Sequence, residues 1–185
     1  METVSLDINV AQLLKEPQGS TRNYKVEDEI EDQNGVYPVS GEVKLTNENH
    51  VILVQANLST GIKLQCSRCA KNYTCPIRVE IVEEYYPTID IQTGEKMLPP
   101  DESGAFTIDE HHVLDLAEAL RQYRVIATPM KPLCSLNCAG MCPVCGKDLS
   151  TGPCECPTEH IDPRWAELLK LKNKASQARA KGKNK

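Results

Sequence analysis

The sequence predicts an α+β fold: an antiparallel β meander or partly open barrel packed by one main helix, ahead of a cysteine-rich C-terminal module. Three observations carry this. Apolar and polar residues alternate with period two through residues 39–81, the mark of half-buried strands. One stretch, residues 115–127, repeats apolar side chains at helical spacing instead. Six of the nine cysteines fall between Leu133 and Pro157. The expected organisation is a sheet domain over residues 1–132, a cysteine module with a short helix over 133–169, and a basic tail over 170–185.

Taken in order, Val4, Leu6, Ile8 and Val10 share one parity and predict a strand over residues 3–10. Ala11 to Lys15 suits a short helical turn before Pro17, and residues 17–23 read as a loop. The acidic run at residues 27–32 reads as a solvated strand edge. Val39, Gly41, Val43 and Leu45 alternate with Ser40, Glu42, Lys44 and Thr46, and Asn47-Glu48-Asn49 supplies turn chemistry. Ile52, Val54, Ala56, Leu58, Ile62, Leu64 and Cys66 then share one parity, with a bend or bulge expected near Ser59–Gly61. Ile77, Val79 and Ile81 follow in phase. Cys66 and Cys69 therefore sit in the turn between two long antiparallel strands.

Residues 87–110, rich in Pro and Gly, read as a long loop. Asp115 and Glu118 resemble a capping box, Leu116, Ala119, Leu120, Tyr123 and Ala127 form the apolar stripe of a helix, and Pro129 follows it. Asp162-Pro163 starts a second, short helix carrying Trp165, Leu168 and Leu169. Phe106 and Trp165 are the only Phe and Trp, so the core must be largely aliphatic.

No apolar run approaches the roughly 20 residues that span a bilayer, and the first residues lack a signal-peptide pattern. We therefore expect a cytoplasmic protein. The net charge of −5 is unevenly spread. From Arg164 onward there are eight Lys or Arg and one acid, about +7; the preceding residues hold the other 13 basic and 25 acidic side chains, about −12. A uniformly basic nucleic-acid-binding surface is not expected. A short basic arm is, with Lys170, Lys172, Lys174, Arg179, Lys181, Lys183 and Lys185 as candidate phosphate contacts.

The cysteines speak for metal. Thiols in a reducing compartment stay reduced unless they bind metal or do redox work, and an odd count with C-x-x-C spacing argues against a disulfide framework. Cys142-Pro-Val-Cys145-Gly146 has the form of a metal knuckle, with Gly146 free to take the positive φ the turn requires. Eight cysteines fall into four pairs: Cys66/Cys69, Cys134/Cys138, Cys142/Cys145 and Cys154/Cys156. Two four-thiolate zinc sites are expected. In the favoured pairing, Cys142, Cys145, Cys154 and Cys156 form a compact zinc-ribbon-like site, and Cys66/Cys69 meet Cys134/Cys138. Two alternatives join Cys134/Cys138 or Cys66/Cys69 to the knuckle at Cys142/Cys145. Loop-closure entropy grows too slowly with length to decide. Thiolates also suit iron–sulfur clusters, and a thiol-redox role is the most distant alternative. Cys75 is left over as a small buried hydrophobe. No nucleophile–base set, metalloprotease helix or phosphate-cradling loop is present, so we expect no enzyme and no small-molecule substrate.

As an ordered set, several of these motifs resemble the YceD-type family of bacterial and plastid proteins linked to accumulation of large-subunit ribosomal RNA. The matching features are the V-x-G-x-V-x-L strand at Val39–Leu45, the C-S-R-C turn at Cys66–Cys69, and the D-L-A-E-A-L helix leading to Ala127-Thr-Pro129. The cysteine segment from Cys134 to Gly146, Leu149, the C-x-C pair and D-P-R-W-A-x-L complete it. The resemblance implies a non-enzymatic role in ribosome biogenesis, on or near large-subunit ribosomal RNA or a particle of the assembling subunit. Other branches of the family lack most of the later cysteines, which separates the metal from the shared function. The acidic body suggests an alternative, an adaptor for a basic partner such as a ribosomal protein.

Overall fold

The computed structural model describes residues 2–49, 51–99 and 104–157. The described chain divides between Cys138 and Ala139 into two compact units. The predicted helix after Asp162 and the whole basic tail lie outside the described residues.

The first unit is built on one eight-stranded sheet. Its strands are β1 (Glu2–Val4), β2 (Asp7–Asn9), β3 (Thr21–Asp32), β4 (Gly35–Glu48), β5 (Val51–Gln65), β6 (Asn72–Pro87), β7 (Phe106–Ile108) and β8 (Val113–Asp115). Two helices join them, α1 (Ala11–Lys15) and α2 (Ala117–Ile126). The spatial order is β1-β3-β4-β5-β6-β7-β8-β2. The long central strands form the antiparallel meander read from the alternation, and their inward parity is buried: Val39, Val43, Leu45, Ile52, Val54, Ala56, Leu58, Val79 and Ile81.

The sheet is mixed, not purely antiparallel. β1 runs parallel to β3, and β7 parallel to β6. The strand expected over residues 3–10 is broken into β1 and β2, which lie at opposite edges of the sheet although only Ser5 and Leu6 separate them. The sheet must therefore curl until its two edges nearly meet. Leu6 spans the remaining gap: its N–H donates to Asp28 Oδ2 at 2.8 Å on one side, and its carbonyl accepts from Leu116 N at 3.0 Å on the other. This is near-closure of a barrel, with the edge polar groups satisfied rather than left open.

Other expectations need correction. Thr21 and the two residues after it belong to β3 and not to a loop. Asn47 is not a turn residue; it is buried, and its Nδ2 donates to the carbonyls of Leu13 and Glu16, capping the end of α1. The β5–β6 register runs unbroken from Ile52↔Tyr85 to Gln65↔Asn72, so no bulge interrupts it near Gly61. What changes there is the other neighbour: β4 pairs with β5 only as far as Ser40↔Ser59. Beyond that point β5 and β6 continue as a two-stranded arm. The loop at 87–110 contains β7, and Phe106 stacks on Tyr85 with ring centroids 5.1 Å apart. Burial holds the Tyr85 phenol well above its usual range, and its hydroxyl donates to Asp115 O at 3.1 Å.

Helix α2 presents Ala119, Leu120 and Arg124 inward. Asp115 Oδ1 accepts from Ala117 N, but Glu118 does not complete a capping box; it engages Arg121 and Gln122. Among the described residues, Arg124 is the buried cation. Its Nη2 donates to Asp32 Oδ2 at 2.9 Å and to Gly61 O at 2.8 Å, and its guanidinium lies 5.2 Å from the Tyr37 ring centre. The helix is thereby tied to the β3–β4 hairpin and to the root of the arm at once.

Candidate metal centres

The arm ends in the turn from Cys66 to Lys71. Cys66 N donates to Lys71 O and Ala70 N to Cys66 O, both at 2.9 Å, and Arg68 N points at Cys66 Sγ from 3.4 Å. Ala70 closes the turn with φ 56°. The second unit repeats the same pattern at Cys142. Cys142 N donates to Lys147 O and Gly146 N to Cys142 O, again at 2.9 Å, Val144 N lies 3.4 Å from Cys142 Sγ, and Gly146 has φ 73°. The two turns are one device built from different residues: a left-handed residue four places after the first cysteine folds the backbone so that an N–H faces the sulfur. The left-handed position is legible in the sequence where Gly146 marks it; at Cys-Ser-Arg-Cys-Ala the expected turn is present, but alanine gives no sign of the strained position it holds.

Each turn meets a second cysteine pair. Cys66, Cys69, Cys134 and Cys138 form one group, and Cys142, Cys145, Cys154 and Cys156 the other; within each, all four sulfurs lie within 4.8 Å of one another. In the first group Cys66 Sγ is 3.8 Å from Cys138 Sγ, and Cys69 Sγ is 3.7 Å from Cys134 Sγ. A disulfide needs about 2.05 Å. Four thiolates around a tetrahedral ion at a metal–sulfur distance of about 2.3 Å are separated by roughly 3.8 Å. The residues present therefore fit a single ion in each group.

The segment carrying Cys134 and Cys138 reaches the arm through backbone. Ser67 N donates to Pro132 O at 2.8 Å, and Arg68 Nη1 donates to Cys138 O at 3.0 Å. Cys66, Cys69 and Cys138 are buried there with Tyr73 and Leu133 packed against them. In the second group, Leu149 N donates to Gly140 O, Lys147 Nζ to Pro153 O, and Asp148 Oδ1 accepts from Ser150 N, closing the short span between the two pairs.

The electrostatics repeat as well. The Cys66 thiol is held down to about 6 by the backbone N–H groups of Cys134 and Cys69, and Cys142 to about 6 by those of Cys145 and Val144. Hydrogen bonding from Cys138, then burial, pushes Cys134 up to about 12, and Cys145 does the same for Cys156. In each group one sulfur is held toward thiolate and one is held strongly as thiol, and in the first group the Cys69 thiol is raised as well. The raised sulfurs give up their protons only to a strong positive charge, which an arriving metal ion would supply.

Cys75 belongs to neither group. It is half-buried rather than buried, because it lies on the arm beyond the point where β4 stops covering the sheet. His111 is exposed and His112 half-buried, neither near the sulfurs in sequence or grouping. Lys170, Lys172, Lys174, Arg179, Lys181, Lys183 and Lys185 lie outside the described residues. Among the described residues, no helix is long and apolar enough to cross a membrane.

Comparison with known proteins places the chain among relatives. A family model described as "Large ribosomal RNA subunit accumulation protein YceD" matches residues 54–172. An uncharacterized protein of Mycobacterium tuberculosis is 30% identical over 141 residues, covering 76% of this chain and 64% of the relative. One of Mycobacterium leprae is 24% identical over 135 residues, covering 72% and 59%. The match thus spans less than two thirds of these relatives' length. No solved structure matches the chain significantly.

Proposed function

The chain belongs to the YceD family of large ribosomal RNA subunit accumulation proteins, and from that premise we propose that it is a non-enzymatic, zinc-binding factor supporting accumulation or processing of large-subunit ribosomal RNA in the cytoplasm. The family match over residues 54–172 carries the reading. Its metal part is supported by the two thiolate groups, whose sulfurs converge on one point each. That suits a single tetrahedral ion better than a cluster whose thiolates ligate different irons. Zinc is the ion with no geometric preference of its own and a strong preference for thiolates at this spacing. On this reading Cys66, Cys69, Cys134 and Cys138 hold one zinc, and Cys142, Cys145, Cys154 and Cys156 the other. Four-thiolate sites leave no open coordination position, so the ions serve architecture and not catalysis.

The RNA part enlists the basic residues from Lys170 to Lys185. Depleting the chain from its own cells should lower the ratio of large- to small-subunit ribosomal RNA. An unchanged ratio would overturn the reading. In vitro, log affinity for single-stranded RNA should fall with log salt by about 0.7 per phosphate contact, and truncation after Leu169 should flatten that slope. Native protein should carry two zinc ions; iron in their place would replace zinc without touching the RNA role.

A further inference from the structure

We infer that the two-stranded arm bearing Cys66 and Cys69 is an RNA-backbone contact surface in its own right, with Lys63, Lys71, Arg78 and Lys131 as its phosphate ligands. The inference rests on the ribosomal RNA reading above and adds a surface to it.

The chain is acidic over its first 163 residues, yet the acids are not spread evenly. From Asn49 to Val79 there is no Asp or Glu, and none from Ala119 to Cys138. These two stretches supply β5, the root and turn of the arm, most of α2 and the segment that meets the turn. Folding brings them together: Ser67 N donates to Pro132 O, next to Lys131, and Arg68 reaches Cys138. Lys63, Lys71, Arg78 and Lys131 are all exposed, and among the described residues none of the four has an ion-pair partner. The acids collect mainly in β3 at Glu27, Asp28, Glu29 and Glu31 and further along β6 at Glu83 and Glu84. Two border the surface: Asp32, held at the arm's root through Arg124, and Glu80, which lines a hollow with Ser59 and Arg78.

The arm's outer face is arranged as a track. Arg78 stands opposite Ser59, and Lys63 opposite Thr74, so four residues of β5 separate the two cations. At about 3.3 Å per residue that is roughly 13 Å. Between them lies a shallow hollow lined by Pro38, Ser40, Ser59, Gly61, Thr74 and Pro76, with no charged side chain. A Cβ on Gly61 would sit 2.9 Å from Thr74 Cγ2 and 3.2 Å from a Tyr37 ring carbon. Lys71 in the turn and Lys131 beside Pro132 extend the cations toward the thiolate group. A neutral floor flanked by unpaired cations suits an extended sugar–phosphate chain.

A bland account is that these cations offset thiolate charge, since a divalent ion with four thiolates leaves about two negative charges. Among the described residues the second group offers a contrast: its four thiolates have Lys147, Asp148 and Glu155 close in sequence, one cation against two acids. The zinc content of the variant below separates the two accounts.

The test uses the full chain, with both zinc ions, and an oligouridylate long enough to lie along the arm. The variant carries Lys63→Gln, Lys71→Gln, Arg78→Gln and Lys131→Gln; Arg68 is left intact because it holds Cys138. With four contacts at about 0.7 each, the salt slope should fall by about 3, with zinc content unchanged, while Lys63→Arg, Lys71→Arg and Lys131→Arg retain it. A slope unchanged in the Gln variant but lost on truncation after Leu169 would overturn the inference and leave the functional reading in place. Polyglutamate competing as well as RNA at equal charge would overturn it in favour of an acidic protein. If the intact chain binds no RNA at all, both the arm surface and the RNA contact in the functional reading fall.

Discussion

The two thiolate groups share a turn, a sulfur geometry and an electrostatic layout, but they are supported in opposite ways. The first joins residues 65 and 72 apart in sequence, and lies at the end of a unit with its own core of buried side chains from Leu6 to Leu120. The second spans Cys142 to Cys156, and among the described residues of its unit only Gly140 and Cys142 are buried. The same chemistry is therefore a clasp in one place and a nucleus in the other. On the proposed zinc reading, the fold places the ligands of the first group and the ion locks them, whereas among the described residues of the second unit little besides the ion would hold the fold.

The sharpest way to break this comparison is to remove one ligand from each group. Cys154→Ser should abolish the structure of residues 139–157, because zinc binding in small modules is worth roughly 10–16 kcal/mol at neutral pH and the described residues of this unit form no apolar core behind it. Metal content should fall from two ions to one, with the unfolding transition of the sheet unit unmoved. Cys138→Ser should also cost one ion, but the sheet should survive. Only the arm beyond Gly61 and the segment after α2 should lose amide protection in hydrogen exchange. If Cys138→Ser melts the whole sheet, the clasp description is wrong.

A second variant asks how much of the first group's affinity comes from the fold. Arg124 ties α2 to Asp32 and Gly61 and so delivers the chain toward Cys134 and Cys138. Its side chain is 4% exposed and that of Asp32 25% exposed. Breaking a fully buried pair costs about 3–5 kcal/mol, and partial exposure of the acid lowers this toward about 2–3 kcal/mol. Arg124→Leu should therefore lower sheet stability by that amount in denaturant titration and weaken zinc binding at the first group alone. Equal weakening at both groups would show that the helix does not set the ligand geometry.

This contrast was only half legible in the sequence. Alternation gave the inward residues of β4, β5 and β6, because a solvated outer face makes parity visible. The pairing of Cys66/Cys69 with Cys134/Cys138 is the arrangement favoured from sequence over two rivals, but for the compactness of the local site it leaves and not from loop-closure energetics. A strand of three residues such as β7 is too short to show a period, so residues 87–110 read as loop. The parallel edge at β1 and the bridging role of Leu6 depend on curvature that no local pattern encodes. Arg124 gives no signal in the sequence, since a buried cation is recognisable only with its partners in place. The acid-free arm was hidden because its two halves lie far apart in the chain and a whole-body charge count averaged them away.

The smallest effect separates the two turns themselves. Ala70 and Gly146 occupy the same left-handed position, at φ 56° and 73°. For an L-residue that conformation costs roughly 1–2 kcal/mol, while glycine carries extra unfolded-state entropy of about 0.4–1 kcal/mol. The difference favours glycine by about 1 kcal/mol or less in either turn. Ala70→Gly should thus tighten zinc binding at the first group by a few-fold, and Gly146→Ala should weaken it at the second by a similar factor. Space does not interfere at Gly146, where an added Cβ would meet nothing within 4 Å, so the change there reports backbone strain alone. Competition with a chelator, read separately for the two ions, measures both. If the groups differ as clasp and nucleus, Gly146→Ala should also lower the thermal unfolding of its unit, whereas Ala70→Gly should leave the sheet transition where it was. Equal thermal shifts in the two units would mean that both ions carry their folds to the same degree.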